Sequence, residues 1–194
     1  MGLTSASSSN WNVPNALSAA RLVLAIVVCI LIEWRFMFPA VIFFLLAAST
    51  DWIDGWWARR FQQVTKLGRI LDPFVDKVII CGAMIALCAV PNSAIVPNSA
   101  IAPWMATLVV ARELLVTSLR GMIEGQGGDF SAKQLGKWKM VAQCGTVVSV
   151  LIELQYAIAP TWLHWTSIAL VWLAILLTVL SGLEYILLVA KKPQ

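Results

Sequence analysis

The chain has 194 residues, of which 60% are apolar and 12% charged, with a formal net charge of +4 and a mean hydropathy of +0.82. Soluble domains are closer to half apolar and about a quarter charged, so the composition excludes an ordinary water-soluble globular protein. The length bounds one domain over residues 1–194, and the expected class is an all-α integral membrane protein.

Residues 1–10 contain the polar run "TSASSSN" and are expected to form a mobile tail. No basic residue precedes Arg21, so the charged start of a signal peptide is missing. Gly2 fits an N-myristoylation pattern, but a polytopic chain has no need of a lipid anchor. The segment "WNVPNALSAAR" reads as a short amphipathic helix lying on the membrane surface.

Six mostly apolar segments come next, at roughly 15–33, 37–58, 70–90, 102–122, 138–158 and 164–190. Each approaches the length of about 20 residues that a membrane-crossing helix needs, so six transmembrane helices are predicted. The connectors "PNSAIVPNSAIAP", "EGQGGDFS" and "IAPTW" carry turn chemistry. Arg59, Arg60, Lys66 and Arg69 fall between the second and third segments, and Arg120, Lys133, Lys137 and Lys139 flank the connector after the fourth. The connectors at 91–103 and 158–163 contain no Lys or Arg, and the turn at 34–36 has only Arg35. Basic clusters on one side of an even number of spans place both termini in the cytoplasm. Trp34, Trp52, Trp56, Trp57, Trp104, Trp138, Trp162 and Trp165 lie near the predicted ends, where an amphipathic ring prefers to sit. Cys29, Cys81, Cys88 and Cys144 all lie in apolar runs without a CxxC pairing, and read as small buried hydrophobes.

The stretch "STDWIDGWWARRFQQVTKLGRILDPFVDK", residues 49–77, holds four of the ten acidic residues. At about 100° per residue, Asp51, Asp54, Gly55 and Ala58 fall on one helical face, with Arg59 at its edge. Gly68, Asp72 and Asp76 are four apart and share a face of the next segment. Pro73 disfavours helical geometry at Asp72, so the third helix is expected to begin or bend there. Four carboxylates meeting at low dielectric require compensation. Divalent cations supply it: oxygen donors suit Mg²⁺ or Mn²⁺, and the absence of a His or Cys cluster argues against zinc. Two such ions form a clamp for phosphoryl chemistry. The small residues Gly55, Ala58 and Gly68 leave room for a flat ligand or allow close helix packing.

The pattern Asp51-xx-Asp54-Gly55-xx-Ala58-Arg59-x8-Gly68-xxx-Asp72-xxx-Asp76 resembles the signature of the CDP-alcohol phosphatidyltransferases, with every fixed position filled. The resemblance implies that Asp51, Asp54, Asp72 and Asp76 hold two metal ions and that Asp76 is also the general base on the acceptor alcohol. It further implies that Gly55, Ala58, Arg59 and Gly68 line the cytidine-diphosphate pocket, and that the protein is a homodimer in a membrane. The reaction it implies is attack of an alcohol on CDP-diacylglycerol with release of CMP.

Arg112 lies deep in the fourth segment and Arg120 two turns later, with Lys137 and Lys139 beyond the connector. Arginine forks grip phosphate well, so these four residues suggest an acceptor that is itself phosphorylated. Pairing of Arg112 with Glu113, and lysines that only contact anionic lipid, are the alternatives. "VPNALSAAR", "LDPFVDK" and "AREL…SLR" together with "GKWK" resemble the branch of the family that uses sn-glycerol 3-phosphate. An inositol phosphate acceptor is the nearest competing reading. The loop at 121–136 is where acceptor branches differ, and the sequence leaves it undeciphered. A divalent-cation channel is the rival from another class, but it would step acids through the membrane depth rather than gather them at one edge. His164 reads as structural, and Glu153 and Glu184 are costly intramembrane acids for which the sequence names no partner.

Overall fold

The computed structural model describes the backbone of residues 13–61, 66–90, 101–125, 134–156 and 159–190, and the side chains of 16–50, 73–90, 101–121, 134–156 and 159–190. Six helices account for nearly all of it: α1 (Val13–Glu33), α2 (Met37–Phe61), α3 (Lys66–Ala89), α4 (Pro103–Gly125), α5 (Gln134–Gln155) and α6 (Thr161–Ala190). No strand occurs among the described residues. The tail, the duplicated "PNSAI" connector and residues 126–133 of the acceptor loop lie outside the described residues.

Two expectations change. The surface helix expected over residues 11–21 is, from Val13 onward, the first turns of α1. Pro14 sits in the opening turn, where its missing N–H costs no helical hydrogen bond, so nothing separates this segment from the rest of the helix. The third helix does not begin at Pro73, the first of the two outcomes expected there: α3 is already helical from Lys66 and contains the proline. The steric bias against helix before proline is local, and an apolar helix packed on its neighbours outweighs it.

The turn from α1 to α2 is tight because Arg35 adopts a left-handed conformation, with φ of 64°. The Phe36 amide donates back to the Leu31 carbonyl at 2.9 Å and the Arg35 amide to Ile32 at 3.1 Å. This is the hydrogen-bond pattern of a helix ended by a left-handed residue, usually glycine. It sends α2 back along α1.

The chief packing partners are α5 with α6, and α1 with both α2 and α3; α4 lies against α6 and α3. The core combines Val28, Ile32, Phe44, Met84, Leu87, Val109 and Leu151 with alanines at 25, 40, 47, 83 and 106. Small side chains let apolar helices approach closely, where dispersion contacts rather than water exclusion hold them together. Between α5 and α6 polar groups add to this. The Thr146 hydroxyl donates to the Leu170 carbonyl at 3.0 Å, and the Gln143 amide donates to Thr178 Oγ1 at 3.2 Å.

The segment Ala16–Glu33 and the whole of α6 are long and apolar enough to cross a membrane. Apolar side chains such as Ile26, Leu46, Leu114, Val141, Leu176 and Leu187 point outward. Trp34, Trp104, Trp138, Trp162 and Trp165 are exposed near helix ends, as an aromatic belt requires.

α1 and α3 approach closely at Gly82, where an added Cβ would stand 3.0 Å from Cys29 Sγ. Gly82→Val should therefore cost about 1–3 kcal/mol through overpacking. Thermal unfolding in detergent should show the loss, and Cys29→Ala in the same chain should recover part of it.

Candidate active site

A cavity of about 340 Å³ opens between the middle of α3, the stretch of α4 from Arg112 to Arg120, the start of α5 and α6 at Tyr185. Asp76 and Lys77 form one wall, Arg112, Glu113 and Arg120 a second, and Lys137 and Lys139 a third. Among the described residues five basic side chains face two acidic ones, a formal excess of three positive charges. A concave site with this excess and few acceptors suits an anion.

Asp76 is part-exposed, with 29% of its side chain accessible, and lines the cavity. Behind it, Arg21 of α1 is 1% accessible and donates from Nη1 to Asp76 Oδ1 at 2.7 Å. Across the cavity, Glu113 is buried and accepts from Arg112 Nη1 at 3.2 Å and from Lys139 Nζ. The Arg112 guanidinium lies 5.7 Å from the centroid of the Tyr185 ring, within reach of a cation–π attraction. Gly182 makes room for that course, since a Cβ there would meet Arg112 Cγ at 3.3 Å. The Nε atoms of Arg112 and Arg120 are buried and have no hydrogen-bond partner. Buried donors without acceptors are costly, and these two lie behind the cationic wall of the cavity.

Of the residues expected from the sequence, Asp76, Arg112, Arg120, Lys137 and Lys139 are brought to this one cavity. Arg112 does pair with Glu113, the alternative considered for it, yet it also lines the cavity. Lys139 is likewise committed to Glu113, whereas Lys137 is exposed at the cavity rim. Asp51 and Asp54 sit on α2 and Asp72 on α3 by backbone. Gly55, Ala58, Arg59 and Gly68 are placed on these helices in the same way, but the side chains of this motif lie outside the described residues. Among the described residues no three metal-binding side chains gather. The expected donor set consists only of aspartate oxygens, which fits a hard divalent ion.

Sequence reasoning does not find Arg21, Lys77 and Tyr185. An arginine early in an apolar helix is a readable signal for the first; the other two depend on which helix faces which. At the far end of the bundle Glu153 does find a partner, His164, with its Oε1 2.6 Å from the imidazole Nδ1. The contact joins α5 to α6 and supports the structural reading of His164.

Removing one member of a buried ion cluster leaves its partners uncompensated, at a cost of about 3–5 kcal/mol. Glu113→Ala should lower thermal stability in detergent by that order, and inorganic phosphate should restore part of it. An unchanged melting temperature would mean that the cluster is not electrostatically coupled.

The model of the CDP-alcohol phosphatidyltransferase family matches residues 11–180. A Bacillus subtilis protein named CDP-diacylglycerol–glycerol-3-phosphate 3-phosphatidyltransferase is 32% identical, over 90% of this chain and 93% of the relative. An Escherichia coli K12 protein of the same name is 31% identical, over 91% of this chain and 93% of the relative.

Proposed function

Because the chain belongs to the CDP-alcohol phosphatidyltransferase family and is a membrane-associated transferase, we propose that it moves the phosphatidyl group of CDP-diacylglycerol to sn-glycerol 3-phosphate, releasing CMP. The observation that carries the reading is one cavity bearing Asp76 on one wall and Arg112, Arg120 and Lys137 on the others. The family and the names of its relatives supply the donor and the acceptor.

In this reading the chain forms one domain of six membrane-spanning helices, with both termini and the cavity on the cytoplasmic side. The span lengths support it, as does the gathering of basic residues at one end of the bundle. A homodimer is carried over from the family resemblance. Asp51, Asp54, Asp72 and Asp76 would hold two divalent ions, Mg²⁺ or Mn²⁺, in keeping with the metal use of the family. When bound, such ions neutralise the pyrophosphate and stabilise the charge that develops on the departing nucleotide.

The chain's own groups then have distinct tasks. Arg120, Arg112 and Lys137 hold the acceptor phosphate, with Lys139 adding charge from within the Glu113 cluster. Gly55, Ala58, Arg59 and Gly68 accommodate the cytidine diphosphate. Asp76 takes the proton from the acceptor hydroxyl. The hydroxyl oxygen bonds to the lipid-bearing phosphorus, the pyrophosphate P–O bond breaks, and CMP leaves with the electron pair. A site at the membrane boundary lets the acyl chains remain in the bilayer throughout.

Purified protein given CDP-diacylglycerol and Mg²⁺ or Mn²⁺ should release CMP with glycerol 3-phosphate. It should not do so with inositol, inositol phosphate or serine, and CMP release with inositol phosphate instead would reassign the acceptor. Asp76→Asn should abolish turnover while donor binding persists; normal turnover would remove Asp76 as the base. Arg112→Ala and Arg120→Ala should each raise the acceptor KM roughly tenfold to 100-fold, as expected for losing a charged hydrogen bond of about 1.5–3 kcal/mol. An unaltered KM would place the phosphate elsewhere.

A further inference from the structure

The buried stripe of α1 that faces its neighbours runs Ser18, Arg21, Ala25, Val28 and Ile32, each 2% exposed or less. Four of these are small or apolar, as helix packing favours. Arg21 is the exception: a full guanidinium placed where a Leu or Met would pack.

Packing alone does not call for that charge. Desolvating a guanidinium costs several kcal/mol, and well-packed apolar residues in place of a buried ion pair are often as stable or more so. Against that cost Arg21 makes a short, charge-assisted contact, 2.7 Å from Nη1 to Asp76 Oδ1. The pair is asymmetric. The arginine is sealed in the core at 1% accessibility, while the carboxylate is 29% accessible and reaches the cavity. Arg21 therefore approaches Asp76 from behind.

Its anchorage is rigid. α1 and α3 pack closely, with Gly82 of α3 against Cys29 of α1, two turns further along. An aspartate has only two side-chain torsions, and a partner fixed on a neighbouring helix removes much of that freedom. Proton abstraction is sensitive to such placement, since a misplacement of about 1 Å can cost on the order of 100-fold in rate.

We infer that Arg21 is a positioning residue for the phosphatidyl transfer: from the core of α1 it holds the Asp76 carboxylate in its working orientation on the cavity wall. This rests on the assignment of Asp76 as the base, and it makes α1, outside the 51–76 motif, part of the catalytic apparatus.

The test compares wild type, Asp76→Asn, Arg21→Lys and Arg21→Met in the full-length protein. Each is assayed for kcat, for KM of CDP-diacylglycerol and of glycerol 3-phosphate, for Mn²⁺ binding by calorimetry, and for melting temperature. Arg21→Met should lose about 100-fold in kcat, read at saturating Mn²⁺ and well below its own melting transition, with both KM values close to wild type. Arg21→Lys should keep the charge and the fold but recover only part of kcat, because an ammonium does not reproduce the planar fork. Should the Met variant not fold, the Lys variant carries the test. A kcat for Arg21→Lys equal to wild type overturns the inference. So does a loss of kcat in Arg21→Met that disappears at saturating Mn²⁺ and well below its melting transition, because that describes an ion pair needed only for the fold or for metal binding. Normal turnover by Asp76→Asn instead overturns the base assignment itself.

Discussion

Charge placed among apolar helices has to be matched, and among the described residues two matched clusters border one cavity. Arg21 faces Asp76, and Glu113 sits between Arg112 and Lys139. Both clusters adjoin a cavity rather than filling a sealed core, so each keeps one side open. Were they fully enclosed, the desolvation cost would fall on the fold with no return. Opening them to a cavity lets the same charges hold the helices together and meet a ligand.

The remaining architecture keeps the walls of that cavity in place. The turn at Arg35 returns the chain within three residues, so α2 runs back beside α1. The Thr146–Leu170 and Gln143–Thr178 contacts join α5 to α6 along their middles, and Glu153–His164 joins them at the far end. With these fixed, Tyr185 and Gly182 of α6 are brought beside Arg112 of α4. The orientation of one arginine thus depends on contacts from another helix, including a glycine whose lack of a side chain leaves it room.

Much of this is legible in the chain, for identifiable reasons. Long apolar runs bounded by Pro, Gly and Asn set the helices to within a few residues, because apolar length and turn chemistry are local properties. The aspartate spacings point to the family, since metal chemistry dictates residue type at fixed intervals. Two local signals mislead. Pro73 reads as a possible helix start although α3 is already helical from Lys66, and the segment before Arg21 reads as a separate helix although nothing in it stops α1.

By itself, the amino-acid order determined the class, six helical segments, the clustering of basic residues at one end, and the aspartate motif that marks the family. These depend on hydropathy, period and spacing, all readable along one dimension. Only the tertiary structure decided that Arg21 reaches Asp76 across 55 positions and that Lys139 reaches Glu113 across 26. It alone brought Tyr185 over Arg112. Such pairings depend on how helices are rotated and juxtaposed, which the spacing within any single helix does not encode.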